Sequence, residues 1–219
     1  MSNKRGAVFW SLLTGACAAA APGRSPAQTP PRAPLLSAAE TRCYAIEVAG
    51  LRVGTMTATR QPQPGPGGEV VSTLTSDVKV NFLLYHLKIY YQVVNRTRRG
   101  QLLLSTVEAH TNRGNFASRT EWLTDHYAIR AEQYQHHYEA AERQPITCTV
   151  TDMIFAEPTG QTRAFAEYFG DFFSLARATD GSTRAHRAGR EDEYRYANGR
   201  LVMIIKKNPL KNFVIRLLP

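Results

Sequence analysis

The sequence is poor in the motifs that mark an enzyme. Three cysteines, four methionines and two tryptophans are spread over 219 residues. There is no G-x-S-x-G nucleophile elbow, no phosphate-binding glycine loop, no H-E-x-x-H and no paired-cysteine metal motif, which excludes those forms of hydrolase, nucleotide-binding and zinc chemistry. We therefore assign no catalytic, cofactor-binding or metal-ligating residue from the sequence. His136-His137 comes nearest to a metal motif, but on a strand adjacent side chains project to opposite faces. His86, His110, His126 and His186 stand alone. Neither Cys43 nor Cys148 lies in a basic motif that would lower its pKa and make it a nucleophile. Long hydrophobic runs are also missing, since none reaches the roughly 20 residues that a membrane-spanning helix needs. A transmembrane barrel is disfavoured as well, because charged residues interrupt nearly every alternating segment and leave no lipid-facing band.

What is present begins with a targeting pattern. Lys4-Arg5 is followed by a small apolar run over residues 7–21, a break at Pro22-Gly23-Arg24 and a small-x-small site at Ser25-Pro26-Ala27. This predicts a cleaved secretory signal peptide over residues 1–27 and a periplasmic or extracellular destination. Cys17 offers a second reading, lipid anchoring, although Thr14 stands where lipoprotein signals carry leucine. Residues 28–40, rich in Pro and Ala, read as a flexible lead-in, and residues 41–219 as a single β-rich domain. Removing Lys4, Arg5 and Arg24 lowers the formal charge from +9 to +6. The remaining basic residues are scattered as on the wet face of a sheet, with no basic helix or aromatic RNA-binding motif, so nucleic acid is not an expected partner. Cys43 and Cys148 remain after processing. In an exported chain they are compatible with a disulfide, whose loop of roughly 100 residues would be worth up to about 4.7 kcal/mol. Two separate buried thiols are the alternative.

Residues 76–95 show how the domain is built. Val78, Val80 and Phe82 are apolar at even positions, whereas Leu87, Ile89, Tyr91 and Val93 are apolar at odd ones. A change of phase requires an extra residue, so a bulge or a turn is expected around residues 83–86. Alternating segments flank this stretch on both sides. Asn198-Gly199 is the strongest hairpin signal, because both central residues of the favoured turn need positive φ. It places Tyr196 opposite Leu201 and Tyr194 opposite Met203. Gly50-Leu51 reads as another two-residue turn. Residues 127–142 have a helix-like composition but lie among hairpins, and context favours strands. Residues 146–150 read as a short strand, and Thr151 as the cap of one short helix near 151–156. The fold class is all-β: a strongly curved antiparallel meander sheet or partly closed barrel of about a dozen strands, with at most one short helix. Asn95-Arg96-Thr97 matches a glycosylation sequon, which matters only in a eukaryotic secretory pathway.

Three stretches carry a family resemblance: YAIEVAGLRVGTMTATR, ITCTVTDMIFAEPTGQTRAFAEYFGDFF and EYRYANGRLVMIIKKNPLKNF. They resemble an exported bacterial domain-of-unknown-function family, "sixty-one thirty-four", common in Bacteroidota. The opening hairpin is also similar to the periplasmic "thirty-one oh eight" family. The resemblance implies an exported antiparallel protein and supplies no catalytic residues. The expected role is a non-catalytic envelope protein that holds a lipid or other apolar ligand, or docks an envelope partner, on the concave face of its sheet. The apolar character of Leu83-Leu84 and of residues 202–205 motivates it. A hydrolase of envelope polymers is the alternative, with a histidine or a pair drawn from Glu157, Glu167, Asp171, Glu191 and Glu193 in a cleft.

Overall fold

A computed structural model describes residues 38–82, 85–112, 114–133, 136–207 and 212–219. Antiparallel strands follow one another as hairpins: β1 (Glu40–Val48), β2 (Leu51–Pro62), β3 (Glu69–Phe82), β4 (Tyr85–Arg98), β5 (Gln101–Thr111), β6 (Gly114–Trp122), β7 (Tyr127–Gln133) and β8 (His136–Glu142). A crossing segment with the four-residue helix α1 (Asp152–Phe155) comes next. The second series is β9 (Arg163–Ala166), β10 (Asp171–Arg177), β11 (Thr183–Arg187), β12 (Arg190–Ala197), β13 (Arg200–Lys206) and β14 (Phe213–Leu217). All fourteen strands form one sheet, in the order β8-β7-β6-β5-β4-β3-β2-β1-β14-β13-β12-β11-β10-β9. The pairing of β1 with β14 joins the two series, Ile46 facing Ile215.

The phase change in residues 76–95 comes from a hairpin. β3 and β4 pair along their whole length, with Val78 opposite Ile89, Val80 opposite Leu87 and Phe82 opposite Tyr85. Even positions of one strand thus share a face with odd positions of the next. Leu83-Leu84, between the two strands, lies outside the described residues.

Four tight turns share one chemistry. Ala49-Gly50, Arg99-Gly100, Ala188-Gly189 and Asn198-Gly199 each have two residues at positive φ, the geometry that suits the right-handed twist of paired strands. The first of these corrects the expected Gly50-Leu51 turn by one residue. At Asn198-Gly199 the expected register holds only next to the turn. Tyr196 faces Leu201, but a bulge after Arg195 places Tyr194 opposite Ile204 rather than Met203. Residues 146–150 are not a regular strand either. They form an isolated parallel bridge, Thr149 to Phe165, flanked by hydrogen bonds of Phe165 to Cys148 and of Val150 to Phe165.

The sheet's two edge strands, β8 and β9, do not pair; their region is joined by packing. Ala164, Ala166 and Phe173 of the β9–β10 hairpin face the main core. Its other side supplies Phe165 and Phe172 to a second cluster with Leu102, Tyr127, Ile129 and Ile146. The edge hairpin therefore lies against the inner side of β7, and buried edges of this kind are protected from pairing with other chains. Tyr127 fixes the contact through its hydroxyl, which donates to the Leu102 carbonyl (2.7 Å) and accepts from the Ile146 amide (3.1 Å). Gly170 sits where a Cβ would lie 2.7 Å from Ile129 Cγ2, and its φ is +66°. Both sterics and backbone thus require glycine. Gly170→Ala is expected to cost about 1–3 kcal/mol in urea unfolding, the range for overpacking.

Candidate functional site

The inside of the curved sheet has two ends. At the end where β1, β4-to-β5 and β12-to-β13 have their start or turn, α1 fills the interior with Met153, Ile154 and Phe155. Arg42 holds it there. This arginine is 8% exposed and donates to the carbonyls of Ile154 (2.6 Å) and Phe155 (2.8 Å), satisfying acceptors that a helix end leaves unpaired. Arg60 donates to Asp152 (2.6 Å). The guanidinium carbons of Arg42 and Arg60 lie 5.5 and 4.3 Å from the Phe155 ring centroid, so the ring packs against two cations. Tyr196 closes the set by donating to the Met153 carbonyl (2.8 Å). The cap differs from the expected one. Thr151 makes no side-chain cap bond. Thr149 Oγ1 instead accepts from the Asp152 amide (3.1 Å), and the Asp152 carboxylate accepts from the Thr149 amide (3.0 Å), a reciprocal capping pair.

Toward the other end the interior is open. A cavity of about 400 Å³, within the range of small-molecule sites, lies between the two series of strands. Its walls are mainly apolar, with Ile46, Met56, Leu74, Val78, Ile89 and Ile204 among them. Their alternation along the strands turns one residue in two inward. Arg190, Lys206 and Lys207 also border it, with Asp192 beside them. Lys206 pairs with Asp192 (2.8 Å) and Lys207 with Glu191 (2.5 Å). Arg190 stacks over Phe169 at 5.2 Å.

Beside the plug, which itself borders the cavity through Ile154, runs a polar layer. Ser72, Asn95, Ser105 and Thr120 are register partners across β3, β4, β5 and β6, and all four are buried. Asn95 Nδ2 donates to Glu167 Oε1 (2.8 Å) and Thr149 Oγ1 (3.3 Å). The amide of Thr151 donates to the same Glu167 oxygen (3.0 Å). Glu167 is 3% exposed and borders the cavity with Tyr91 and Tyr194. Burial raises the Glu167 pKa, against the pull of its hydrogen-bond donors. Burial and then the Glu167 charge push the Tyr91 phenol well above its ordinary value. Tyr194 is also pushed well up, by burial first and then by Asp192, Tyr196 and Glu167. Both hydroxyls are therefore neutral donors at physiological pH.

The sequence-predicted residues fare unevenly. Of the five carboxylates considered for hydrolysis, Glu167 alone borders the cavity. Glu157 pairs with Arg177 and Asp171 with Arg187. Glu191 and Glu193 share Arg184 on the face of β12 opposite Tyr194. The Cys43–Cys148 bond is not formed. Both thiols are free, Cys43 exposed and Cys148 buried, because neighbouring Tyr44 takes the inward position on β1 while Cys148 packs in the core. Burial, with Asp152 and Glu167 nearby, pushes the Cys148 thiol up to about 12. Asn95 cannot serve as a glycosylation acceptor, since it is 1% exposed and faces Glu167. Leu83-Leu84 lies outside the described residues, and of residues 202–205 only Ile204 reaches the cavity. Among the described residues no three His, Cys, Asp or Glu side chains are grouped to hold a metal, and no helix is long and apolar enough to cross a membrane. Asn95, Tyr91 and Tyr194 were missed as site residues. Only the register, with small polar residues at inward positions on adjacent strands, exposes them.

Comparison with known proteins agrees with this architecture. The model of the family described as Domain of unknown function (DUF6134) matches residues 44–218, and the chain belongs to that family. No curated protein matches it. Among solved structures it is similar to a β-barrel-like protein of domain of unknown function DUF1849 from Brucella abortus. The TM-score is 0.50 at 8% identity, over 81% of this chain and 95% of that one. At that identity the likeness concerns the fold alone.

Two outcomes test the site. Arg42→Met is expected to lower stability by about 2–4 kcal/mol, since it strands two buried carbonyls, as measured by denaturant unfolding. Glu167 gives a pH signature. Its folded pKa is raised, so its contribution is complete below the ordinary glutamate range and is lost as pH rises through the raised value. The urea midpoint should therefore fall with rising pH, and Glu167→Gln should remove that part of the slope.

Proposed function

We propose that this member of the family is an exported envelope protein that binds a small apolar or amphiphilic molecule, such as a single acyl chain, inside its curved sheet. The observation that carries the reading is the cavity of about 400 Å³. An open apolar space of this size differs from a packed core, where voids larger than a water molecule are rare. Filling it with hydrocarbon removes apolar surface from water on both sides, at about 25 cal/mol per Å². The plug bears on the same reading, because a helix held by Arg42 and Arg60 keeps side chains from relaxing into one half of the interior. Export rests on the pattern of residues 1–27, and the periplasm is the destination we infer. The role we infer is non-catalytic, since four of the five candidate carboxylates are held in ion pairs and do not line the cavity.

Native mass spectrometry after gentle purification, together with hydrophobic-dye binding, tests this. The expected result is adducts of lipid-like mass or saturable dye binding. Ala109, 4% exposed and on the cavity wall, is the place to block it. Ala109→Phe is expected to weaken dye binding about tenfold or more with little loss of stability, because the added ring enters open space instead of a packed core. A protein that carries no lipid and binds no dye would sink the reading.

A further inference from the structure

The polar groups at the inner wall of the cavity specify more than an apolar occupant. Glu167 lines the same cavity and uses Oε1 for both of its donors, Asn95 and Thr151. Tyr91 borders the cavity beside it and keeps some accessible surface, as expected of a side chain facing open space. A saturated chain ending against these two groups would leave them desolvated. A carboxylate there would meet Glu167 in a low dielectric, with Asp192 further along the wall, and like charges in such a place repel strongly. The nearest cations do not relieve this, because Lys206 and Lys207 are already paired with Asp192 and Glu191 and border the solvent side. A neutral hydroxyl meets all the requirements, since it can donate to a carboxyl oxygen and accept from a phenol.

We propose that the cavity selects a neutral long-chain alcohol, with its hydroxyl inward between Glu167 and Tyr91 and its chain along the apolar walls. This rests on the cavity being a binding site at all, and the test keeps the two ideas apart. A neutral naphthylamine dye bound to the full chain is displaced by dodecanol, by dodecyl methyl ether and by dodecanoate. Dodecanol is expected to displace it at about fivefold to tenfold lower concentration than the ether, the effect of one hydrogen-bond donor, and by a larger margin than dodecanoate. In Tyr91→Phe and in Glu167→Gln that preference for the alcohol should shrink toward one. Glu167 also ties strands together, so the phenylalanine variant decides the question if the glutamine variant does not fold. Dye binding with equal displacement by all three compounds would overturn the alcohol assignment and leave the cavity reading standing, as would a preference unchanged in Tyr91→Phe. Stronger displacement by dodecanoate would place a carboxylate near the cations and overturn the inward hydroxyl. Failure of the dye to bind would overturn both.

Discussion

The structure depends on one buried carboxyl. Glu167 leaves the β9 edge hairpin and accepts from Asn95 on β4 and from the backbone before α1. Three parts of the chain that are far apart in sequence therefore meet at one oxygen. A buried acidic group is costly unless its hydrogen bonds are supplied, and these donors come from groups that the fold has already buried. The cost has a consequence for shape. With Glu167 fixed, the edge hairpin stays against the inner side of β7, and the crossing segment is kept inside the sheet.

Arg42 complements this on the other side of the helix. Glu167 anchors the entry to α1, and Arg42 satisfies the carbonyls at its exit. A helix of four residues has little intrinsic stability, so tertiary contacts decide whether it forms. Tyr196, Arg60 and the packing of Met153, Ile154 and Phe155 supply the rest. Because the plug occupies one end only, the sheet keeps an unfilled volume at the other, with Ile154 of the plug on its wall.

Much of the fold was legible in the sequence because its signals are local. Period-two alternation, glycine turns and the phase change of residues 76–95 each concern neighbours in the chain, and Asn198-Gly199 alone located a hairpin. The segment 127–142 was legible as strands only through its surroundings, since its own composition favours a helix. The bulge after Arg195 was not, because it depends on how β13 meets β14. The site was mostly hidden for the same reason. Asn95 resembled a surface sequon until register placed it opposite Ser72 and Ser105, and Glu167 was one of five carboxylates with no local feature to single it out. Tyr194 was expected opposite Met203, and the bulge moved it opposite Ile204, where its side chain is fully buried.

The central claim is that the interior is divided into a plugged end and an unfilled end that receives a ligand. Crystals grown with ω-bromododecanol test it most directly, through the anomalous signal of bromine. The account predicts a bromine peak inside the sheet toward Arg190 and Phe169, with hydroxyl density near Glu167. Continuous protein density across that space, with side chains collapsed into it and no bromine, would contradict it.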